Sequence, residues 1–342
     1  MASVEYIQYS KQSLEFLRSN LTRAALTLSP FIFLIIYLSV GKYNVDFSSL
    51  HQLLFSDSID RTIFLNIRLP RAIEAMIFGA SMGISGASVQ TTLKNPLVSP
   101  YFLGISSGAA FGAALSIAIF GYKSFFLVQP AAILFALVAV SLTLGLSKFR
   151  GQFTPVSVVL AGIIVSALFS GLLSLIQILV EPEKTQTIVA WMIGRLYTIT
   201  WADVRVSAPL AILGILGLLY FRWRIFVLSM GDEEAKSLGI NVERERLLVI
   251  FLASVATASV VSVTGIIGWV CLIAPHVTRF LVGSDPKVML PASISVGASF
   301  MLIADMLSRT IWNFEIPVGI ITTIIGAPLF LYLMRRALHE WH

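Results

Sequence analysis

Long apolar runs limit what this chain can fold into more than any other feature of its sequence. In residues 73–92 the only charged side chain is Glu74, at one edge of the run. A helix needs about twenty residues to cross the hydrocarbon core of a membrane, so this run predicts a span. The rest of the chain repeats the pattern, and we predict about ten spans. They lie at residues 24–40, 73–92, the glycine-rich run after Pro100, 125–146, 156–180, 204–221, 247–263, 266–282, 288–307 and 317–334.

The composition supports the same class of fold. Of the 342 residues, 57% are hydrophobic and 12% are charged, whereas about a quarter are charged in soluble proteins. We therefore predict an all-α polytopic membrane protein in which residues 1–342 form one integral domain, without room for a soluble catalytic domain. The net charge of +6 comes from basic residues scattered at span ends, which favours topology signals over nucleic-acid binding. Cys271 is the only cysteine, so neither an internal disulfide nor a multi-cysteine metal site is expected.

The distribution of Lys and Arg predicts the orientation. With the amino terminus in the cytoplasm, most basic residues fall on the cytoplasmic side, as the positive-inside rule expects. Both termini are then cytoplasmic, and residues 1–23 form a cytoplasmic segment with a short interfacial helix before a retained first span. Residues 41–67 become an external loop, and residues 181–203 hold an external interfacial helix.

Glycines recur at intervals of four in two neighbouring spans. Gly79 and Gly83 share one helix face, and Gly104, Gly108 and Gly112 repeat the spacing. Such glycines let helix backbones approach closely in a membrane. They therefore predict helix packing and do not by themselves indicate transport.

Prolines predict where two spans are broken. In the segment KNPLVSP, Ser99 is expected to cap a helix whose first residue is Pro100. Pro275 interrupts the run 266–282 and frees a backbone carbonyl that protein or water must satisfy.

The fifth span carries a stripe of small and mildly polar side chains at intervals of four, which places them on one helix face. Its members are Gly162, Ser166, Ser170 and Ser174. The stripe either packs against a neighbouring helix or lines a water-filled path, and the residues alone leave both readings open.

Residues 230–246 are the most charged interval of the chain and do not fit inside lipid. Gly231 and Gly239 bracket a helix of about two turns, with acidic residues in its first turn as the helix dipole prefers. By charge alone the interval is a solvated connector on the cytoplasmic side.

Several ordered strings in this sequence together resemble the FecCD-type permease family. The resemblance covers about residues 60–335. The strings begin with Arg68-Leu69-Pro70-Arg71, Gly79 to Ala87, Gln90, Asn95-Pro96-Leu97 and Leu103 to Ala109; they continue with Leu160-Ala161-Gly162, Trp191 to Gly194, Gly231 to Gly239, Ala274 to Arg279, Ala304-Asp305 and Glu315 to Gly319.

The resemblance implies a type II ABC importer permease for iron-siderophores, haem or cobalamin in a bacterial or archaeal inner membrane. The implied partners are a second permease copy, as a homodimer or close heterodimer, two cytoplasmic ATPase subunits and an extracytoplasmic substrate-binding protein. ATP and Mg would bind the ATPase subunits. This chain would bind no cofactor or metal of its own and would not be an enzyme. Consistently, its sequence contains no nucleophile elbow and no phosphate-binding loop.

The resemblance also implies roles for particular residues. The charged interval becomes a coupling helix that docks on the ATPase, through Gly231, Asp232, Glu233, Ala235, Leu238 and Gly239. Three external arginines, Arg68, Arg71 and Arg309, become docking residues for carboxylates of the binding protein. Two alternatives stay open, namely that the arginines snorkel at the membrane edge and that Asp305 holds Arg309 one helical turn away.

In the family the helix with the serine stripe borders the pathway, so its lining role rests on the resemblance. Thr154 and Pro155, with Val156, occupy the place of the small polar cytoplasmic gate, although Pro155 and Val156 make it stiffer and less polar than in relatives. Arg195 stands where many relatives carry a small residue, and its charge near the external mouth would favour an anionic substrate. His276 has no partner at ligand spacing, so a structural role is expected.

The leading hypothesis from the sequence is the permease subunit of an ATP-driven importer of metal chelates, with iron-siderophore as the first cargo. Haem, cobalamin or an oxyanion are alternative cargoes for the same architecture. The alternative of another class is an ion- or proton-coupled secondary transporter, but such proteins place acid or histidine relays at mid-membrane. An integral-membrane enzyme is disfavoured because catalytic residues do not cluster.

Overall fold

A computed structural model of the chain describes residues 2–41, 59–121, 125–148 and 154–339, with side chains for 21–41, 59–121, 126–148 and 154–332. These residues form thirteen helices and no strand, which confirms the all-α class. The helices are α1 Ala2–Ser39, α2 Ile59–Thr92, α3 Ile105–Phe120, α4 Phe125–Ser147, α5 Pro155–Leu179, α6 Pro182–Met192, α7 Trp201–Tyr220, α8 Arg222–Met230, α9 Asp232–Ser237, α10 Val242–Thr264, α11 Val270–Val282, α12 Pro286–Thr310 and α13 Val318–His339.

Among the described residues, seven helices are long and apolar enough to cross a membrane, namely α1, α2, α4, α5, α7, α10 and α12. Three shorter apolar helices, α3, α11 and α13, make ten in all. They agree in number and order with the ten predicted spans. The multi-pass membrane fold is therefore confirmed.

Three predicted boundaries are wrong. The predicted interfacial helix in residues 1–23 is not separate, because α1 runs without a break from Ala2, where no glycine or proline interrupts it before Pro30. Of the predicted loop 41–67, residues 42–58 lie outside the described residues, but α2 already begins at Ile59. The helix predicted to start at residue 247 starts at Val242, because the Asn241 side chain accepts a hydrogen bond from the Arg244 amide and caps it.

Helices α2, α10 and α12 form the centre of the bundle, and the backbones of α2 and α12 approach closely at the glycines. A Cβ atom on Gly79 would lie 2.1 Å from the Gly297 carbonyl oxygen, and one on Gly83 would lie 2.1 Å from that of Ser293. Gly108 and Gly112 of α3 face carbonyls of α4 in the same way. These contacts confirm that the glycines pack helices.

Two of the apolar helices are too short to cross a membrane. Sixteen residues in α3 and thirteen in α11 correspond to about 24 and 20 Å, less than the roughly 30 Å of hydrocarbon. Each of these helices is preceded by non-helical backbone inside the bundle. We call residues 93–104, before α3, the first break, and residues 265–269, before α11, the second break.

Both breaks differ from the predicted ones. Ser99 makes no capping bond; a 3₁₀ turn, Pro100–Leu103, follows it, and α3 begins only after Gly104, whose φ of +85° requires glycine. The second interruption lies at residues 265–269 rather than at Pro275, which sits inside α11.

Pro275 remains helical because the carbonyl that it frees has another partner. That carbonyl belongs to Cys271, four residues earlier, and it accepts a hydrogen bond from Gln90 Nε2 of α2 at 3.4 Å. Gly86 makes room for it, since a Cβ there would lie 2.0 Å from the same oxygen. Protein therefore satisfies the freed carbonyl, as the sequence predicts.

The bundle has two polar faces. At one face, which we call the Arg71 face, Arg71 of α2 contacts Asp305 near the end of α12 and Glu315 before α13. At the opposite face, the Asp232 face, Lys94 after α2 and Arg246 of α10 contact Asp232 of α9. Because α2 contains Arg71 and ends just before Lys94, it connects the two faces.

Candidate functional site

Arg71 lies at the centre of a buried polar cluster on the Arg71 face. Its Nε and Nη2 atoms each donate to one oxygen of Asp305, both at 2.9 Å, and its Nη1 donates to Glu315 Oε2 at 2.9 Å. The Asp305 side chain is fully buried, whereas that of Glu315 is 38% exposed. Arg71 thus has one buried partner and one that faces solvent.

Tyr37 of α1 completes this cluster. Its hydroxyl donates to Asp305 Oδ2, and its ring lies 4.0 Å from the Arg309 guanidinium carbon. Arg309 also donates to the Tyr37 carbonyl. Asp305 therefore pairs with Arg71 and does not hold Arg309, so the local ion pair considered from the sequence is not formed.

All three predicted docking arginines are buried in this conformation. Arg68, Arg71 and Arg309 are 5%, 6% and 6% exposed, and Arg68 Nη1 donates to the Leu38 carbonyl at 2.8 Å. They neither snorkel into solvent nor present free charges. Their docking role stays a prediction.

The predicted coupling residues form a short helix with two different sides. Helix α9 follows Gly231 and ends before Gly239, whose φ is +77°. Ala235 is fully buried against Val227 and its neighbours. Glu233 is exposed and Leu238 is 56% exposed. The helix is thus anchored on one side and presents an acid and a leucine on the other.

Asp232 ties this helix to the membrane-spanning bundle. Arg246 of α10 donates to its two oxygens at 2.6 and 3.0 Å, and Lys94 Nζ lies 3.6 Å from Oδ1. Partial burial alone would raise the pKa of Asp232, but the hydrogen bonds and charge of Arg246, together with Lys94, hold it below its usual value. The Asp232 carboxylate is therefore charged at neutral pH.

The predicted pathway stripe on α5 does not share one environment. Gly162 is buried, and a Cβ there would lie 1.9 Å from the Phe102 carbonyl, so it packs against the first break. Ser166 is half-buried, and Ser170 and Ser174 are exposed on the surface of this chain. Packing is shown for the glycine, while a lining role of the serines stays a prediction.

An open apolar cleft of about 440 Å³ lies beside the second break. Glycines allow the backbone segments around the cleft to approach closely. A Cβ on Gly194 would lie 2.4 Å from the Ile266 carbonyl oxygen, and one on Gly319 would lie 2.3 Å from the Ile193 carbonyl oxygen. The cleft is lined by Ile193, Ile266, Gly268, Gly319, Ile320, Thr323 and Ile324.

The predicted gate residues form a helix start. The Thr154 side chain accepts from the Ser157 amide, the Ser157 hydroxyl accepts from the Thr154 amide, and Pro155 is the first residue of α5. This capping box fixes the helix end. Thr154 is exposed, and a gating role stays a prediction.

Two other residues singled out from the sequence lie inside the fold. Arg195 is 7% exposed, so its charge is not presented at an open mouth, and its amide donates to the Thr264 carbonyl at 2.7 Å. His276 Nδ1 lies 2.7 Å from the Leu272 carbonyl, and its ring meets Phe330 edge-on. Among the described residues, His, Cys, Asp and Glu side chains nowhere cluster in threes as metal ligands.

Sequence reasoning missed several polar contacts because their partners are far apart in the chain. Tyr37 and Glu315 approach Arg71 from α1 and from the segment before α13. Buried Glu74 of α2 accepts from the Ser207 hydroxyl, and Asp203 of α7 accepts from Gln129. The only sign of these contacts in the sequence is a carboxylate residue inside or beside an apolar run.

The chain matches the model of the FecCD transport family over residues 29–336. It is 42% identical over 274 residues to a Helicobacter pylori (strain J99 / ATCC 700824) permease protein assigned to an iron chelatin transport system, covering 80% of this chain and 82% of that protein. It is 36% identical over 322 residues to the molybdate import system permease protein MolB of Haemophilus influenzae (strain ATCC 51907 / DSM 11121 / KW20 / Rd), covering 91% and 95%.

A solved structure has a similar fold. It is described as a metal-chelate type ABC transporter in an inward-facing conformation, and it superposes with a TM-score of 0.84 at 36% identity, covering 92% of this chain and 98% of that one. The match thus extends over nearly the whole chain. This chain belongs to the FecCD transport family.

Proposed function

We propose that this chain is the membrane-spanning permease subunit of an ATP-driven importer of metal chelates, with an iron chelate as cargo. Family membership carries the importer assignment, and the relative from an iron chelatin system supports the cargo. Helix α9 is the supporting feature of this chain itself, because a helix anchored by Ala235 and Asp232 exposes Glu233 and Leu238 at the end remote from Arg71.

Helix α9 is the contact for a separate ATPase subunit, which binds ATP and Mg. Its bidentate bond to Arg246 is what makes it suitable. A helix held in this way passes on a push from the ATPase as a rigid body instead of swinging on its own. The Asp232 face is then cytoplasmic, the Arg71 face is external, and both termini are cytoplasmic.

A second copy of the permease, identical or closely related, completes the pathway. The small exposed residues Ser170 and Ser174 on α5 and the open apolar cleft beside α13 support this, since small residues and open apolar surface allow close packing against another helix in a membrane. One ATPase subunit then serves each permease copy, and lipid surrounds the remaining apolar surface.

An extracytoplasmic binding protein delivers the chelate to the Arg71 face. Arg71 is the arginine best placed to receive a carboxylate of that protein, because its Nη1 atom is held only by the half-exposed Glu315. Arg68 and Arg309 contribute positive charge behind it. Electrostatic attraction of this kind orients docking and raises its rate.

Reconstitution of the permease with its ATPase and binding protein tests this function. Ferric chelates should stimulate ATP turnover and accumulate in proteoliposomes, whereas peptides or sugars should not. Molybdate is the second candidate cargo, because MolB is 36% identical over 91% of this chain. Stimulation by molybdate without any ferric chelate would reassign the cargo, and uptake driven by a proton gradient without ATP would reject the importer class.

A further inference from the structure

One hydrogen bond joins the two breaks inside the bundle. Tyr101, in the 3₁₀ turn of the first break, donates its hydroxyl proton to the Ile267 carbonyl of the second break at 2.9 Å. Ile267 is fully buried. Non-helical backbone at membrane depth needs partners within the protein, and here the partner of one break is supplied by the other.

The second break is strained and tightly held. Trp269 has φ +71° and ψ −32°, and the Val270 amide donates to the Gly268 carbonyl at 2.9 Å. This is a γ-turn with positive φ, which is rare and costly for a bulky residue. The Arg195 amide fixes the carbonyl of Thr264 just before the break. Strain of this kind persists only where surrounding contacts impose it.

The second break also forms part of the open cleft. Ile266 and Gly268, on either side of Ile267, line the cleft together with residues of α13. A displacement of the Ile267 carbonyl therefore moves two lining residues at once. In the proposed importer this cleft lies on the surface that a second permease copy completes.

The first break begins at the Asp232 face and is hydrogen-bonded at several points. Lys94, at φ +50°, lies 3.6 Å from Asp232 of α9. Beyond it the Asn95 amide donates to the Gln90 carbonyl, and the Asn95 side chain accepts from the Leu97 amide. Further along, the Thr143 hydroxyl of α4 donates to the Leu103 carbonyl at 3.0 Å. These hydrogen bonds brace the break at several points along its length.

We propose that Tyr101 is a positioning residue for transport. Its hydroxyl transmits a displacement of α9, received through Lys94 and the first break, to the strained second break and so to the cleft. This inference rests on the proposed function and adds the route by which the ATPase contact reaches the pathway. A purely structural Tyr101 would satisfy the Ile267 carbonyl without coupling the two breaks.

The test is Tyr101→Phe in the complex of permease, ATPase and binding protein, since this change removes only the hydroxyl. Thr143→Val is the matched control, because it removes a hydroxyl bond to the same break but not the bond between breaks. Cargo moved per ATP hydrolysed should fall about twofold to tenfold in Tyr101→Phe, the factor of one hydrogen bond of ordinary strength, and should stay close to that of the unaltered complex in Thr143→Val, which leaves the bond between the breaks in place.

Hydrogen exchange with and without nucleotide gives the second readout. In the unaltered complex, nucleotide should change exchange in both breaks; in Tyr101→Phe the change should persist in residues 93–104 and vanish in 265–269. Equal responses of both breaks in both variants would overturn the proposal. If Tyr101→Phe does not accumulate, Lys94→Gln weakens the same route at an exposed side chain and should reduce the response of both breaks. An unaltered complex that fails to move any cargo contradicts the proposed function instead.

Discussion

Replacement of Glu315 by Gln tests how a partner reaches Arg71. In this conformation Glu315 Oε2 accepts from Arg71 Nη1 at 2.9 Å, while Asp305 occupies Nε and Nη2. An incoming carboxylate therefore has to displace Glu315, which is half-exposed, and not Asp305, which is buried. Removing the Glu315 charge should weaken this internal competitor and strengthen docking.

The size of the effect follows from exposure. Exposed ion pairs contribute about 0.2–1 kcal/mol, so Glu315→Gln should tighten binding of the binding protein by about 1.4-fold to 5-fold. The gain should shrink at high ionic strength, because salt screens the pair and the incoming charge alike.

The assay is the equilibrium affinity of the binding protein for the permease–ATPase complex in nanodiscs at low and high salt. Glu183→Gln is the control, since Glu183 is an exposed carboxylate in α6 and its removal changes net charge by the same amount. Binding that is unchanged or weaker in Glu315→Gln than in Glu183→Gln would refute the exchange at Arg71.

Four further outcomes are expected. Arg71→Ala should destabilise the fold by about 3–5 kcal/mol, because it leaves buried Asp305 without its cation, and Arg71→Leu with Asp305→Leu should recover most of the loss in thermal unfolding; a loss no larger than in exposed Arg222→Ala would contradict the burial. Glu233→Lys with Leu238→Asp should abolish copurification of the ATPase at normal permease levels, whereas Ser237→Ala should retain it; retention by both would make α9 a mere connector. Gly297→Val should prevent accumulation, because a Cβ there lies 2.1 Å from the Gly79 carbonyl, while Gly145→Val meets no atom within 4 Å and should be tolerated. The pKa of Asp232 is lower in the folded protein than in the unfolded chain. The stabilisation that the Asp232 carboxylate gives is therefore complete above the unfolded pKa and is lost as the pH falls through the folded pKa, so hydrogen exchange of α9 should rise only below about pH 4. Asp232→Asn should remove this acid dependence.

The spans were predictable because bilayer thickness alone sets their length. An apolar run such as residues 73–92 needs no information about its neighbours to be recognised. The glycine contacts were predictable for a related reason, since Gly79 and Gly83 have few uses in a lipid-embedded helix other than close approach.

The breaks were not predictable in the same way, because each depends on donors that are distant in the chain. Pro275 stays helical since Gln90 supplies a hydrogen bond to Cys271, and residues 265–269 leave the helix in part because Tyr101 and Arg195 supply donors to their neighbourhood. Nothing in the local pattern distinguishes these two cases.

The candidate sites also differ in whether the local sequence is enough to predict them. The charged interval around Asp232 identifies an extramembrane helix without further information, although its last residues prove to begin α10. The arginines at the Arg71 face were predicted to be accessible because the sequence does not show which residues pair with them. Tyr37 and Asp305 converge on Arg71 only in the folded bundle.

Uptake of radioactive iron chelate by proteoliposomes that contain the permease, its ATPase and its binding protein tests the central claim most directly. The account predicts accumulation that requires hydrolysable ATP and disappears when Glu233 and Leu238 are replaced on α9. Accumulation without the ATPase, driven by an imposed proton gradient, would contradict it.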